Sequence, residues 1–278
     1  MNKYQYRLTH IASSIVGNLY RNKIEAFWEI RYSNSGDLVT PMLLKQYGFT
    51  PVHCYPQEAA FFSCGSLLEK VPQDFSGFIL GTGFMYRDST SVFKKARIFA
   101  LRGELSREKV GAPKGTILGD PGLLVARFLS RRQRKHYQLG IVPHYVDKKD
   151  GRIGRICEKY NREVLFIDIQ KHPIEVLQNI DKCETIVSSS LHGLVFADSL
   201  DIPNVWVVLS DRVSGEGFKF HDYNSALGKN QSPVSITGDE APSDFITQAT
   251  APSHLAVEET KNKLDQAFCQ IKEELLHS

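Results

Sequence analysis

Apolar residues along this chain fall into two rhythms. Short, nearly continuous apolar runs occupy 24–30, 59–63, 78–80, 98–101, 139–143, 164–167, 185–188 and 204–209. Runs of that length bounded by Gly, Pro or Ser predict strands buried on both faces. Between them, apolar residues recur at helical spacing. The pattern predicts helices over 4–20, 38–47, 121–129, 174–180, 191–200 and 254–276, and another that starts at 104–109. Strands alternating with helices in both halves predict an α/β fold of two doubly wound, Rossmann-like parallel sheets. The basic run SRRQRK at 130–135 lies between two apolar patterns and reads as a linker. It divides an N-terminal domain, 1–135, from a C-terminal domain, 136–278. The last helix carries Leu264, Phe268, Ile271 and Leu275 on one face and is expected to cross back onto the first domain.

Chemistry-bearing residues cluster at predicted strand ends. The unit at 185–209 reads as strand, tight turn, helix, an Ile202-Pro203 corner and a second strand. Ligands of open α/β sheets bind beyond the carboxyl ends of strands, and a helix start offers free N–H groups to an anion. Ser189, Ser190 and His192 therefore stand where a phosphate or carboxylate would be held. Asn34, Gly36 and Asp37 follow the first strand; Asp37 can cap the next helix, line a cleft, or both. Gly83 ends a G-T-G turn, Arg102 emerges after the strand at 98–101, and His144 after that at 139–143. A guanidinium suits bidentate binding of carboxylate or phosphate, and equally a salt bridge to a helix acid such as Glu104. Asp120, before Pro121, reads as a helix cap. Residues 218–223, FKFHDY, place Lys219 and His221 among aromatics, either as a strand edge or as a loop over a ligand. If that segment is extended, the two side chains point the same way.

Composition narrows the class. Of 278 residues, 42% are hydrophobic, enough for one large or two modest domains, and the net charge of +3 is too small to argue for nucleic acid. Five scattered cysteines without a C-x-x-C pair read as free thiols in a reducing compartment. No signal-peptide core and no run of eighteen apolar residues is present, so a cytoplasmic location is expected. Lys3, Arg7, Arg21 and Lys23 around the first helix suit either the inner face of an anionic membrane or solvent. There is no H-E-x-x-H, no G-x-S-x-G and no G-x-G-x-x-G, so metal hydrolysis, a nucleophile elbow and a dinucleotide fingerprint find no motif. Oligomeric state leaves no trace in the sequence.

Five segments in order carry a resemblance: N-S-G-D at 34–37, L-G-T-G-F at 80–84, L-R-G-E-L-S-R-E at 101–108, L-G-D-P-G at 118–122 and S-S-S-L-H-G at 188–193. Together they resemble the polysaccharide pyruvyltransferase family over 28–223. The resemblance implies two domains facing a cleft, as in the GT-B arrangement of glycosyltransferases. It also implies a phosphoenolpyruvate donor, a glycan or lipid-linked oligosaccharide acceptor, and a cyclic pyruvate ketal as product. Such chemistry needs cations for two anionic groups and a positioned acid/base, and no metal or other cofactor. Arg102, which the family places as a donor ligand, and Lys219 supply charge; the serine turn supplies donors; His192 shuttles the proton, with His144 and His221 as alternates. Many members carry an Arg, associated with the donor, where this chain has Ser190. Lys219 is expected to replace it. Two other classes remain open: a GT-B glycosyltransferase using a sugar nucleotide, and a non-catalytic protein that binds anionic glycans.

Overall fold

Two parallel sheets carry the chain in its computed structural model, which describes residues 22–32 and 34–276. The helix expected over 4–20 lies outside those residues. The first sheet contains β1 (Lys23–Phe27), β2 (Thr50–His53), β3 (Phe61–Phe62), β4 (Phe78–Leu80), β5 (Arg97–Leu101) and β6 (Ile117–Leu118), in the order β2-β1-β3-β4-β5-β6. The second contains β7 (Tyr137–Val142), β8 (Val164–Phe166), β9 (Cys183–Ser188), β10 (Asn204–Val208) and β11 (Val234–Ser235), in the order β11-β10-β9-β7-β8. Every named pairing in both is parallel.

Strand direction of travel reverses once in each sheet, between β1 and β3 and between β7 and β9. Chain connections leave these neighbouring strands in opposite directions, which opens a crevice beyond their carboxyl ends. The helices α1 (Val39–Gln46), α2 (Glu104–Val110), α3 (Gly151–Lys159), α4 (Pro173–Asp181) and α5 (Leu191–Ser199) fill the crossovers. The two crevices face each other across a cleft lined by residues of both domains. Cross-domain bonds hold them there: the Ser35 N–H donates to the Ile169 carbonyl at 2.9 Å, and Tyr32 stacks on Tyr145 with centroids 5.1 Å apart.

Three further α-helices follow β10: α6 (Phe218–Ala226), α7 (Pro242–Ile246) and α8 (His254–Leu276). α8 lies on the first sheet, where Phe268 stacks on Tyr47 at 4.4 Å and Leu264 approaches Gly119. The segment 121–129, expected as an α-helix, is a 3-10 helix over Pro121–Phe128 started by Asp120, whose Oδ1 accepts the Gly122 N–H at 2.8 Å. The basic run 130–135 joins the two sheets, and all of it but Gln133 is exposed. Buried Asp181 accepts from Arg132 Nε at 2.7 Å and from the Gln133 N–H at 2.6 Å, which tethers the middle of this exposed segment to the end of α4.

The largest departure from the sequence reading is α6. Residues 218–223 form neither strand nor loop but the first turns of a helix. Phe218 joins the core of the first domain, while Phe220 and Tyr223 join the core shared with the second. A helix wedged between two bodies is buried on several sides, so its apolar positions show no single stripe. Phe218 and Phe220 then imitate the two-residue period of a strand. Gly215 and Gly217, at φ of +91° and +81°, turn the chain into the helix; both values favour glycine.

Candidate functional site

A cavity of about 240 Å³ opens where the two crevices meet. From the first domain, Asn34 and Asp37 after β1 and Ser66 after β3 line it; from the second, His144 after β7 and Ser190 and His192 after β9. Lys219 of α6 completes the wall.

Each side chain reaches this position for a local reason. Residues 34–38 form successive turns, with the Asp37 N–H bonded to the Asn34 carbonyl and the Leu38 N–H to Ser35. The cap position of α1 is taken by Leu38, and no side chain caps the helix, so Asp37 does not cap it. Its half-buried carboxylate has no hydrogen-bond partner among the described residues and faces the cavity. Burial pushes its pKa up to about 7, Glu29 and Asp120 adding to the rise and Lys70 and Lys219 opposing it. Glu29 itself is held low: burial raises it, but the hydrogen bond and charge of Lys70, at 2.5 Å, and the neighbouring Arg31 outweigh that.

Ser188 ties the β9–α5 turn to β7 by donating to the Val142 carbonyl at 2.7 Å. Ser190 begins α5 without a side-chain cap bond, so its hydroxyl is available to a ligand beside the free N–H groups of the first turn. Ser189 points the other way. Its Oγ accepts the His144 N–H at 2.9 Å and donates to buried Asp147 at 3.1 Å, which positions the His144 loop. Burial, with help from Lys219, lowers the His144 pKa to about 3, so its ring is neutral.

His192 is 5% exposed, and its ring lies directly on Gly36. A β-carbon on Gly36 would stand 1.9 Å from His192 Nδ1. On the other side Nε2 is 3.8 Å from Asp120 Oδ2, and neither atom has a hydrogen-bond partner among the described residues. Burial lowers the His192 pKa, against the pull of Asp120 and with the push of Lys219 and Arg102. Asp120 thus serves twice, one oxygen starting the 3-10 helix and the other facing the histidine. In the sequence a cap is the favoured reading and a direct catalytic role the lesser one. The G-D-P-G turn at the end of β6 was the available sign of more.

Lys219 is 6% exposed, and its ammonium meets no hydrogen-bond acceptor among the described residues. Burial, with Arg102 adding repulsion and Asp37 opposing, lowers its pKa to about 8. A buried cation without a carboxylate partner is costly, and the cost is offset when an anion occupies the space beside it.

Besides Ser189, three expected site residues stand elsewhere. Arg102 lies behind the cavity wall and is 0% exposed. Its Nε donates to Asp222 at 2.9 Å, Nη1 to Ser66 at 2.7 Å and Nη2 to the Phe84 carbonyl at 2.6 Å, so its guanidinium is already held by protein acceptors. Gly83 packs on that pair; a β-carbon there would meet Arg102 Cζ at 2.5 Å. His221 is two residues from Lys219, but a helix turns about 200° in two residues, and it lines a different cavity.

A sequence model of the polysaccharide pyruvyl transferase family matches residues 8–211. The chain belongs to the polysaccharide pyruvyl transferase family. Its family membership makes it a transferase. Two relatives agree in extent. The chain is 30% identical over 223 residues to the uncharacterized protein L143 of Acanthamoeba polyphaga mimivirus, covering 75% of this chain and 76% of that one. It is 29% identical over 217 residues to the succinoglycan biosynthesis protein ExoV of Rhizobium meliloti (strain 1021), covering 76% and 66%. Among solved structures, the wall teichoic acid polymerase TagF (H548A) aligns over 99% of both chains with a TM-score of 0.46 and 9% identity. Among the described residues of this family member, no helix is long and apolar enough to cross a membrane.

Proposed function

We propose that this transferase moves the pyruvyl group of phosphoenolpyruvate onto two hydroxyls of one sugar in a polysaccharide or its precursor, forming a cyclic ketal. The observation that carries this reading is Lys219, a buried, unpaired ammonium facing a cavity sized for a small anion. It supports the expectation that Lys219 stands in for the arginine absent at Ser190. Lys219, the Ser190 hydroxyl and the first N–H groups of α5 supply donors for the phosphate and carboxylate.

Asp37, with a pKa near 7, is suited to protonating the methylene carbon of the donor. Protonation leaves a cationic carbon that a sugar hydroxyl attacks, its proton passing to His192. The low pKa of that ring makes it the base rather than the acid of the pair. Phosphate departs, taking up the proton held on His192, and a second hydroxyl of the same sugar closes the ketal, returning a proton to Asp37. One carbon–oxygen bond breaks, two form, and the products are the ketal and inorganic phosphate.

Calorimetric titration with phosphoenolpyruvate, alongside assay of phosphate release, tests the reading. The unaltered chain should bind the donor, Lys219→Ala should weaken binding by about tenfold or more, and Lys219→Arg should retain most of it. Equal binding by Lys219→Ala and the unaltered chain would remove the basis of the assignment.

A further inference from the structure

A second cavity, about 590 Å³, lies on the other side of the α6 start. The two spaces share Tyr86 and Ser214 as a common wall. Consecutive residues face opposite ways: Ser189 lines the larger cavity and Ser190 the smaller, while Lys219 faces the smaller and Phe220 and His221 the larger. The two spaces therefore adjoin at Tyr86 and Ser214.

Its lining differs in kind. Trp206 and Phe220, stacked at 4.5 Å, form an apolar floor, with the His221 ring edge-on to Trp206 at 5.1 Å. The charged residues of the lining are Asp88, Asp211 and Glu216 against Arg87 alone. Arg212, nearby, is turned toward buried Asp147 at 3.5 Å. A wall with three carboxylates and one cation repels a diphosphate but accepts hydrogen bonds from hydroxyls. An apolar floor beneath such a rim matches a pyranose ring, which has an apolar face and a hydroxyl edge.

Resting on the donor reading above, we infer that this cavity is the acceptor subsite and that it takes an uncharged pyranose, not a nucleoside diphosphate. Bound there, the sugar presents two hydroxyls past Tyr86 and Ser214 toward the donor carbon.

Phosphate release from phosphoenolpyruvate, with methyl galactopyranoside, methyl glucopyranoside and methyl mannopyranoside as acceptors, tests this. Donor binding is measured separately by calorimetry, and folding by circular dichroism. Val208, 40% exposed, lines only the larger cavity, so Val208→Trp fills it from the rim. At least one pyranoside should stimulate release. Val208→Trp should raise the acceptor KM by about tenfold or more with donor binding unchanged, and uridine diphosphate should not compete with the pyranoside. His221→Ala gives the same readout if the tryptophan variant does not fold. Unaltered acceptor dependence in the folded variants, competition by uridine diphosphate, or stimulation by none of the pyranosides overturns the inference. Failure of the unaltered chain to bind phosphoenolpyruvate overturns the donor reading, and this inference with it.

Discussion

Arg102 and Asp222 form a fully buried ion pair between the end of β5 and the middle of α6, with Nη2 and Oδ2 2.8 Å apart and both side chains 0% exposed. Asp222 also accepts from the Ser106 N–H at 2.8 Å and from its hydroxyl at 2.6 Å. The carboxylate thus clamps the start of α2 and the arginine together, and fixes the helix that carries Lys219 against the first domain.

Removing one partner of such a pair leaves a buried, uncompensated charge. Asp222→Ala should destabilise the chain by about 3–5 kcal/mol. Replacing both residues by apolar ones of similar size, Arg102→Met with Asp222→Leu, should cost less than either single change. Urea denaturation of the three variants measures this. A double variant less stable than Asp222→Ala would show that the remaining bonds of Arg102 to Ser66 and Phe84 dominate.

Gly36 and His192 act as one unit. Gly36→Ala drives a β-carbon into the imidazole, so the ring must move from Asp120 and the cavity. Turnover should fall by about 10²–10⁴-fold, as for loss of a general base. His192→Ala should fall similarly, and the double variant should be no worse than His192→Ala, because the ring that Gly36 accommodates is gone. Additive losses in steady-state turnover would assign Gly36 a role independent of the histidine.

Asp37 gives the chain a pH signature. Its folded pKa, about 7, lies above its ordinary value of 3.8, so the folded chain binds the proton more tightly than the unfolded one. The contribution to stability is therefore lost as pH rises from about 4 to about 7. Asp37→Asn should raise the melting temperature at pH 8 and leave it nearly unchanged at pH 4. Turnover of the unaltered chain should decline as pH rises through about 7, when the donor of the methylene proton ionises. A melting temperature that Asp37→Asn does not raise at pH 8 would mean that ionised Asp37 is well solvated or paired.

Of the eleven strands among the described residues, β2, β6 and β11 were not legible in the sequence, nor was the helix α3; the other eight strands and the two parallel sheets were. Backbone hydrogen bonding and burial impose them locally, so short apolar runs and Gly or Ser turns mark them directly. The same local rule placed Asn34, Asp37, His144, Ser190 and His192 at strand ends, and the parallel order of the strands then brings those ends together. What the sequence could not carry was the direction of side chains at contacts between distant segments. Arg102 reads as a ligand until Asp222, 120 residues away, is packed against it. FKFHDY reads as a strand edge or a loop because the two cores that bury opposite sides of α6 exist only after the domains meet. Whether Asp37 caps a helix or faces a cavity, and whether Lys219 has a partner, depend on neighbours far away in the chain. Burial and pairing are properties of the assembled fold, and in this protein they decide which charges are structural and which remain free for a ligand.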